Sequence, residues 1–514
     1  MLSHLSTIDT TLWNLAHVPY SSTCNNRPAT RHPSFRVRRR TLERTRTEVT
    51  TPLPNVTETT VQSILHIGDN ATLVRYVSES VLYPAPVDRL VFSATVPRAS
   101  ICVSKGKNDT LVIDLNHERY MIKPASAKQI IEIHTRHGDD TIYIADTIKN
   151  RLHIETGAGH DTVVSSSGYA TIKTGSGDDL VMTREGISYI ETADGNDIVN
   201  ANGSGTVVAY TGKGDDFFRG GTGLAYVDAG QGNDTLTGGQ GHNILCGAEG
   251  DDLITAGPRS NVIYPGQGSN ILNELKQTDT VFTESEPTHL SEGQVITAKE
   301  AENTSGRPGP KSFKVSAKPL SESGFIIQGS DEFIERVKND LTQLLGSGVG
   351  HQLLSALTQS IRQSHKPITI AELKHIDSGL YIPNLGDGRS YIKVDKAGLP
   401  DFGGTIYYNP SFARYGFIPL VVLYHELCHA YNFVTGTQFQ GLSPDGHGGT
   451  KAAPQVSNYE LQAAGLPCNV APFDFDQDPT TPALTTNPKP FSENGLREEL
   501  GLPLRKTYIT YSDD

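Results

Sequence analysis

The chain has 514 residues, of which 57 are acidic and 44 are basic, and its formal net charge is −13. This length allows two or three domains, and the negative charge argues against a nucleic-acid binder. No apolar stretch approaches the roughly 20 residues that a helix needs to span a bilayer, and the five scattered cysteines predict a chain without disulfides.

Residues 1–50 are rich in Ser, Thr, Arg and Pro and poor in acids. This composition is typical of a disordered segment, and it resembles the amino-terminal signals of type III secreted effectors, although organelle transit peptides share it. We therefore predict a secretion and translocation segment at 1–50, with a secretion chaperone as its partner. Strand-like runs between 51 and 135 predict a β-rich cap on the region that follows.

A repeat occupies residues 136–275. Gly-x-Gly-x-Asp or a close variant recurs about every 18 residues, for example at 175–179 and 230–234, and an apolar residue recurs every nine residues. The apolar positions are Val163, Ile172, Val181, Ile190, Val199 and Val208, and then, after a one-residue insertion, Phe218, Val227, Leu236, Leu245, Ile254, Ile263 and Leu272. This period predicts a parallel β-roll whose 18-residue coils contribute two strands each and stack about 4.8 Å apart.

The repeat resembles the RTX nonapeptides, whose consensus Gly-Gly-x-Gly-x-Asp binds Ca²⁺ between successive turns. The turns that carry the acid fall almost all on one side of the predicted roll, and the opposite turns lack it. The resemblance implies one ladder of calcium sites, at Asp140, Asp161, Asp179, Asp197, Asp216, Asp234 and Asp252. A metal-free roll with solvated aspartates in its glycine turns is the alternative.

Residues 276–322 are rich in Thr, Ser, Glu and Pro, which predicts a linker. The remaining residues, 323–514, predict a compact α+β domain. It opens with amphipathic helices at about 331–345 and 353–361, continues with strands near 368–370, 391–394 and 405–408, and leads into an apolar helix at about 420–433.

The apolar helix carries the sequence His425-Glu-Leu-Cys-His429. On a helix the two histidines lie one turn apart on the same face, so they can hold one Zn²⁺. Glu426 is adjacent and is not a ligand, which suits it to act as a general base on water activated by the metal. The chemistry that this pattern predicts is the hydrolysis of a peptide bond.

A catalytic zinc keeps three protein ligands and one open position. Glu460 is the preferred third ligand, because it lies in a predicted short helix at 457–465, between a serine that can begin it and a glycine that can end it. Asp445 and His447 are within reach along the chain and remain alternatives, although they lie in a glycine-rich segment.

This domain resembles the NleD-like zinc metallopeptidases among type III secreted effectors. The matching stretches are 407–410, 422–431, 460–467 and 493–508. The resemblance implies a virulence protein that is secreted, is translocated into a host cell and cleaves a host protein, with His425, His429 and Glu460 as zinc ligands and Glu426 as the base. The predicted fold class is therefore a multidomain chain, an RTX-like parallel β-roll (β-solenoid) followed by an α+β zincin-like metallopeptidase domain.

Two functions from different classes remain open. The first is a secreted zinc-dependent metalloendopeptidase with a calcium-binding roll. The second is a calcium-binding β-roll adhesion or interaction protein whose peptidase-like domain is inactive. The presence of Glu426 favours the first, because inactive peptidases commonly lose the base.

Overall fold

The computed structural model describes residues 34–36, 43–50, 57–80, 86–166, 168–283, 288–290, 295–296, 311–314, 320, 323–374, 377–393, 395–414, 417–445 and 454–508. Most of the predicted secretion segment 1–50 lies outside these residues, as does His447. No helix within them combines the length and the apolar character that a membrane crossing requires.

Two long sheets form the amino-terminal part of the described chain. Their first strands are β1 (Ser34–Arg36), β2 (Glu43–Thr50), β3 (Thr57–Ile67), β4 (Ala71–Glu79), β5 (Val87–Ala94), β6 (Ser100–Lys105), β7 (Leu111–Leu115), β8 (Glu118–Ile122) and β9 (Ile130–His134). Strands β2 to β5 extend one sheet through antiparallel pairs, and β6 to β8 extend the other. The predicted cap therefore continues both sheets of the roll.

The chain then alternates between the two sheets at every strand. These strands are β10 (Thr141–Ile144), β11 (Arg151–Ala158), β12 (Thr162–Ser165), β13 (Tyr169–Ser176), β14 (Leu180–Thr183), β15 (Ile187–Glu191), β16 (Ile198–Ala201), β17 (Thr206–Lys213), β18 (Phe217–Arg219), β19 (Ala225–Gln231), β20 (Thr235–Thr237), β21 (Asn243–Cys246), β22 (Leu253–Thr255), β23 (Asn261–Tyr264), β24 (Ile271–Asn273) and β25 (Thr280–Thr283). Each pairs in parallel with the strand one coil further on, as Ile154 does with Ile172. The predicted parallel β-roll is confirmed.

The roll extends beyond its predicted limits. Three further strands, β26 (Thr288–Leu290), β27 (Val295–Ile296) and β28 (Lys311–Lys314), add to its sheets. The prediction of a linker over 276–322 is therefore wrong for β25 to β28, and the prediction of disorder over 1–50 is wrong for β1 and β2. In each case the segment pairs with strands of an existing sheet, which satisfies its backbone N–H and C=O groups. A polar composition does not reveal such pairing. Cys102 of β6 takes part in a disulfide, which contradicts the prediction of none.

The interior of the roll contains the predicted nine-residue series with one exception. Residues such as Val181, Val199 and Phe218 are fully buried between the two sheets. In β17, however, Ala209 points inward, and Val208 lies on the outer face with the neighbouring domain. A one-residue shift exchanges the two faces of a strand. The inserted residue therefore lies before position 208, whereas the sequence predicts it after position 208.

The carboxy-terminal part is an α+β domain. Its elements are β29 (Ile326–Gln328), α1 (Asp331–Gly346), α2 (Gly348–Ser364), β30 (Ile368–Glu372), β31 (Gly379–Ile382), β32 (Gly404–Tyr408), α3 (Pro419–Thr435), β33 (Leu442–Pro444), β34 (Gln455–Ser457), α4 (Asn458–Ala464) and α5 (Glu493–Glu499). Four strands form a sheet in the order β29-β30-β32-β31, which leaves β31 at an edge. No strand forms over 391–393, the described part of the predicted strand 391–394, and β31 was not predicted.

The roll and the carboxy-terminal domain share one apolar core. The sheet that contains β15, β17 and β19 carries Tyr189, Tyr210 and Tyr226 on its outer face. These tyrosines belong to the same buried cluster as residues of α1. Among the latter, Val337 and Leu341 are fully buried. Alternate residues of one strand therefore serve two cores, because successive side chains point to opposite faces.

A buried charge cluster lies in this shared core. Arg336 of α1 is 4% exposed, and its guanidinium lies over the ring of Tyr210. One of its nitrogens lies 2.5 Å from Asp340, and another lies 3.6 Å from Asp228 of the roll. Burial raises the pKa of Asp340 to about 7, and the opposing effect of Arg336 is smaller. The cluster connects both parts of the protein through one arginine.

Replacing Arg336 tests how much this cluster contributes to the free energy of unfolding. We expect Arg336→Ala to lower the free energy of unfolding by about 3–5 kcal/mol, because it leaves Asp340 and Asp228 buried without their partner. Urea titration followed by far-ultraviolet circular dichroism measures the change. Lys338→Ala, at an exposed position of the same helix, is the matched control, and a loss below about 1 kcal/mol for Arg336→Ala would contradict this account.

Candidate active site

Helix α3 positions both histidines of the predicted metal pair. Pro419 occupies its first turn, and Gly436 ends it in the left-handed conformation, with φ 70°. Almost every side chain between them is buried, including His425 and His429. The apolar sequence thus places two imidazoles inside the domain on one helical face.

Three ligand atoms converge at this face. The Nε2 atoms of His425 and His429 are 3.1 Å apart, and Oε2 of Glu460 in α4 lies 3.2 Å and 3.1 Å from them. In a tetrahedral zinc site, bonds of about 2.0–2.2 Å set neighbouring ligand atoms roughly 3.3 Å apart. Two imidazoles and a carboxylate at this spacing fit a zinc ion, and among the described residues they form a group able to hold a metal.

Glu493 of α5 orients His425. Nδ1 of His425 lies 3.0 Å from Oε2 of Glu493, and Arg497 and Arg505 donate to the same carboxylate at 2.6 Å and 2.8 Å. Burial alone would raise the pKa of Glu493, but these three partners lower it well below its usual range. An ionised Glu493 keeps the proton on Nδ1 of His425, so Nε2 is left for a metal.

Glu426 lies beneath the edge strand β31. A Cβ atom added at Gly379 would lie 2.6 Å from Cγ of Glu426, so only glycine fits there. The backbone of Tyr381 also hydrogen-bonds to Glu426. Burial raises the pKa of Glu426, which His429 and His425 partly counteract. A raised pKa suits a group that must take up and return a proton near neutral pH.

Tyr508 closes the site from the carboxy-terminal side. Its hydroxyl donates to Oε2 of Glu460 at 2.7 Å, and its backbone N–H donates to Asp445. Asp445 therefore binds the backbone of Tyr508 and is not part of the converging group. Glu493, Arg505, Tyr508 and Gly379 were not singled out from the sequence, although the first three fall in the stretch 493–508 that carried the family resemblance.

An open cleft of about 410 Å³ gives access to these groups. Its lining includes His425, Glu426, His429 and Glu460 together with Tyr459 and Tyr508. The edge strand β31 borders the same cleft through Gly379, Leu380 and Tyr381. The cleft can therefore receive an extended chain beside an edge strand.

The seven aspartates of the roll form the predicted ladder on one side. Each is 1–2% exposed, so the alternative of solvated aspartates is wrong. One carboxylate oxygen accepts a backbone N–H from the coil before, that of Ala99 for Asp140. For the other six the donor is the equivalent aspartate, as Asp179 accepts from Asp161 and Asp197 from Asp179, both at 2.7 Å. The second oxygen of every one of the seven is buried without a hydrogen-bond partner among the described residues.

Residues 321–508 match the peptidase M91 family model, which is described as an effector protein. The chain carries a peptidase M91 effector domain. Residues 173–208, 210–245 and 226–254 match the model of the RTX calcium-binding nonapeptide repeat. No curated protein and no solved structure matches the chain. The carboxy-terminal domain is therefore of a peptidase family, and the repeat match supports calcium binding by the roll.

The carboxylates of the RTX ladder favour a cation. Burial is the largest cause that raises their pKa values, to about 6 for Asp179, about 7 for Asp216 and Asp252, about 8 for Asp197 and about 9 for Asp234. Neighbouring aspartates raise the values for Asp197 and Asp234 further. An unpartnered carboxylate oxygen on every rung is chemically the kind of hard ligand that Ca²⁺ prefers.

Stability of the RTX roll should depend on pH when calcium is removed. The pKa values are raised above the unfolded value of about 3.9, so their stabilising effect is full below that value and is lost as pH rises through about 6 to 9. In calcium-depleted buffer that contains zinc, we expect the melting temperature to fall between about pH 5.5 and 9. Added calcium should restore it, most strongly at high pH.

The double variant Asp197→Asn/Asp234→Asn provides the control for this experiment. It keeps the shape of the rungs but removes two titrating groups, so the pH dependence should become shallower. Differential scanning calorimetry measures both effects. A melting temperature that is flat across this range and insensitive to calcium would contradict the assignment of the ladder as a calcium site.

Proposed function

We propose that the peptidase M91 domain is an NleD-like zinc endopeptidase that cleaves a host protein after secretion and translocation into the host cell. The convergence of His425, His429 and Glu460 beside Glu426, in an open cleft, carries this proposal. The peptidase family and its description as an effector support it. The presence of Glu426 beside three converging side chains supports this proposal over the alternative of an inactive peptidase-like domain.

His425, His429 and Glu460 would hold the zinc ion, which supplies an activated nucleophile and polarises the substrate carbonyl when bound. Glu426 accepts a proton on its carboxylate and returns it to the leaving nitrogen. Glu493 keeps His425 in one tautomer, and Tyr508 holds the carboxylate of Glu460 through its hydroxyl. The edge strand β31 aligns the substrate chain along the cleft.

We further propose that the seven ladder aspartates bind calcium in the RTX roll. Their unpartnered buried oxygens support this role. Because the roll and the M91 domain share a core, calcium that stabilises the roll would also stabilise the surface on which helix α1 packs.

Replacing Glu426 separates catalysis from metal binding. We expect Glu426→Ala to keep its zinc and its fold but to lose at least about 10²-fold in peptidase activity, because it removes the proton acceptor. Cleavage of whole-cell lysate proteins and metal analysis of the purified protein measure the two properties. Glu498→Ala, an exposed acid on α5, should remain active. Equal activity of Glu426→Ala and the wild type would refute the assignment.

Replacing the proposed ligands tests the zinc site itself. We expect His429→Ala and Glu460→Ala to lose zinc on dialysis, because each removes one of three ligand atoms. Asp445→Ala is the matched control and should retain zinc, since Asp445 lies outside the converging group. Elemental analysis of the dialysed proteins decides the matter. Zinc loss from Asp445→Ala, with full retention by Glu460→Ala, would show that the third ligand is wrong.

A further inference from the structure

A second cavity lies at the boundary between the RTX roll and the M91 domain. Its volume is about 450 Å³, and we call it the boundary cavity. The roll contributes Arg151, Glu155 and Lys173, and the M91 domain contributes Glu332, Glu372 and Asp377. This volume is within the range of pockets that bind ligands, about 300–1,000 Å³. Neither part of the protein forms the cavity alone.

The boundary cavity adjoins the active-site cleft at Asp377, which lines both. Asp377 is two residues from Gly379, which lies against Glu426, so it is no more than about 7 Å from that point along the chain. Arg151 of the roll holds Asp377 through contacts of 2.5 Å and 2.9 Å. A substrate chain in the cleft would therefore reach the cavity about two to three residues from the bond that is cut.

Among the charged side chains that line the boundary cavity, two acids lack a close basic partner within the described residues. Arg151 pairs with Asp377, Lys173 pairs with Glu191 at 2.9 Å, and Lys374 lies 3.5 Å from Glu372. Arg336, which also lines the cavity, pairs with Asp340 outside it.

Glu332 is exposed and forms no ion pair within the described residues. Glu155 is 58% exposed, and among the described residues its ionic contact is with His134, at 3.9 Å. Against the effect of burial, Glu155 and Glu332 both raise the pKa of Lys173 through their negative charges, but Lys173 forms its ion pair with Glu191. The opening thus presents carboxylates to whatever enters it.

We propose that the boundary cavity is an exosite that takes a basic stretch of the substrate, several residues away from the scissile bond. This proposal rests on the proposed peptidase function and adds a substrate class to it. Glu155 and Glu332 attract Lys or Arg side chains of the substrate, and the continuity at Asp377 fixes their distance from the bond that is cut. The roll thereby contributes directly to substrate selection.

Profiling of cleavage sites tests this proposal. The full-length protein, loaded with zinc and calcium, is incubated with a denatured whole-cell lysate, and new amino termini are labelled and sequenced by mass spectrometry. We expect Lys and Arg to be enriched at least about 3-fold, on one side of the cut, from about the third to the eighth residue, because a partly exposed charge pair contributes modestly to binding. Glu155→Lys/Glu332→Lys should abolish this enrichment.

Asp331→Lys is the matched control, because Asp331 is exposed in the same first turn of α1 as Glu332 but does not line the cavity. Its profile should equal that of the wild type. An enrichment that survives in the double variant, or that also disappears in Asp331→Lys, would overturn the exosite. A wild-type protein that cuts nothing overturns the proposed peptidase function, and the exosite with it.

Two synthetic peptides provide a quantitative second measurement. One carries the best site found for the wild type, and the other has its distal basic residues replaced by Glu. We expect the wild type to prefer the first by about 10-fold in kcat/KM, mainly through KM, because a remote contact contributes binding that is equal in the ground and transition states. The double variant should prefer the second. An equal loss on both peptides would indicate a general defect and would overturn the proposal.

Discussion

Residues of β15, β17 and β19 alternate between the interior of the roll and the surface that meets the M91 domain. Val207 and Ala209 point inward, while Val208 and Tyr210 point outward onto α1. The domain depends on this outer surface, because Val337 and Leu341 of α1 are buried in the same apolar cluster. The β-roll and the peptidase domain are therefore two halves of one packed interface, and the boundary cavity is a consequence of how they meet.

Buried carboxylates are treated in two opposite ways in this protein. Glu493 is surrounded by Arg497, Arg505 and His425, and its pKa is lowered. The aspartates of the RTX ladder are also deeply buried, but they meet backbone N–H groups, threonine side chains and one another, and their pKa values are raised. The difference is the presence of a cationic side chain. In the ladder, burial without such a cation favours the protonated carboxyl group.

Part of the candidate site could be predicted from local spacing alone. His425, Glu426 and His429 follow from the geometry of one helix. Glu460 was preferred as third ligand because of its short helix, with Asp445 and His447 as alternatives, and its approach to the histidines depends on a contact 35 residues apart in the chain. The supporting groups could not be found in this way. Glu493 and Tyr508 reach the site from a segment that begins 68 residues after His425, and no local pattern specifies which distant side chain will pack against which histidine.

The sequence by itself determined the parallel β-roll, its ladder of aspartates on one side, and the two histidines and Glu426 on an apolar helix. These features depend on periods of two, nine and 18 residues or on one helical turn, so neighbours along the chain are sufficient to specify them. Only the tertiary structure decided that the aspartates are buried, that Val208 faces outward, and that Arg336 and Arg151 join the roll to the peptidase domain. Burial, register and ion pairing depend on which surfaces meet, and contacts between residues far apart in the chain leave no period in the sequence.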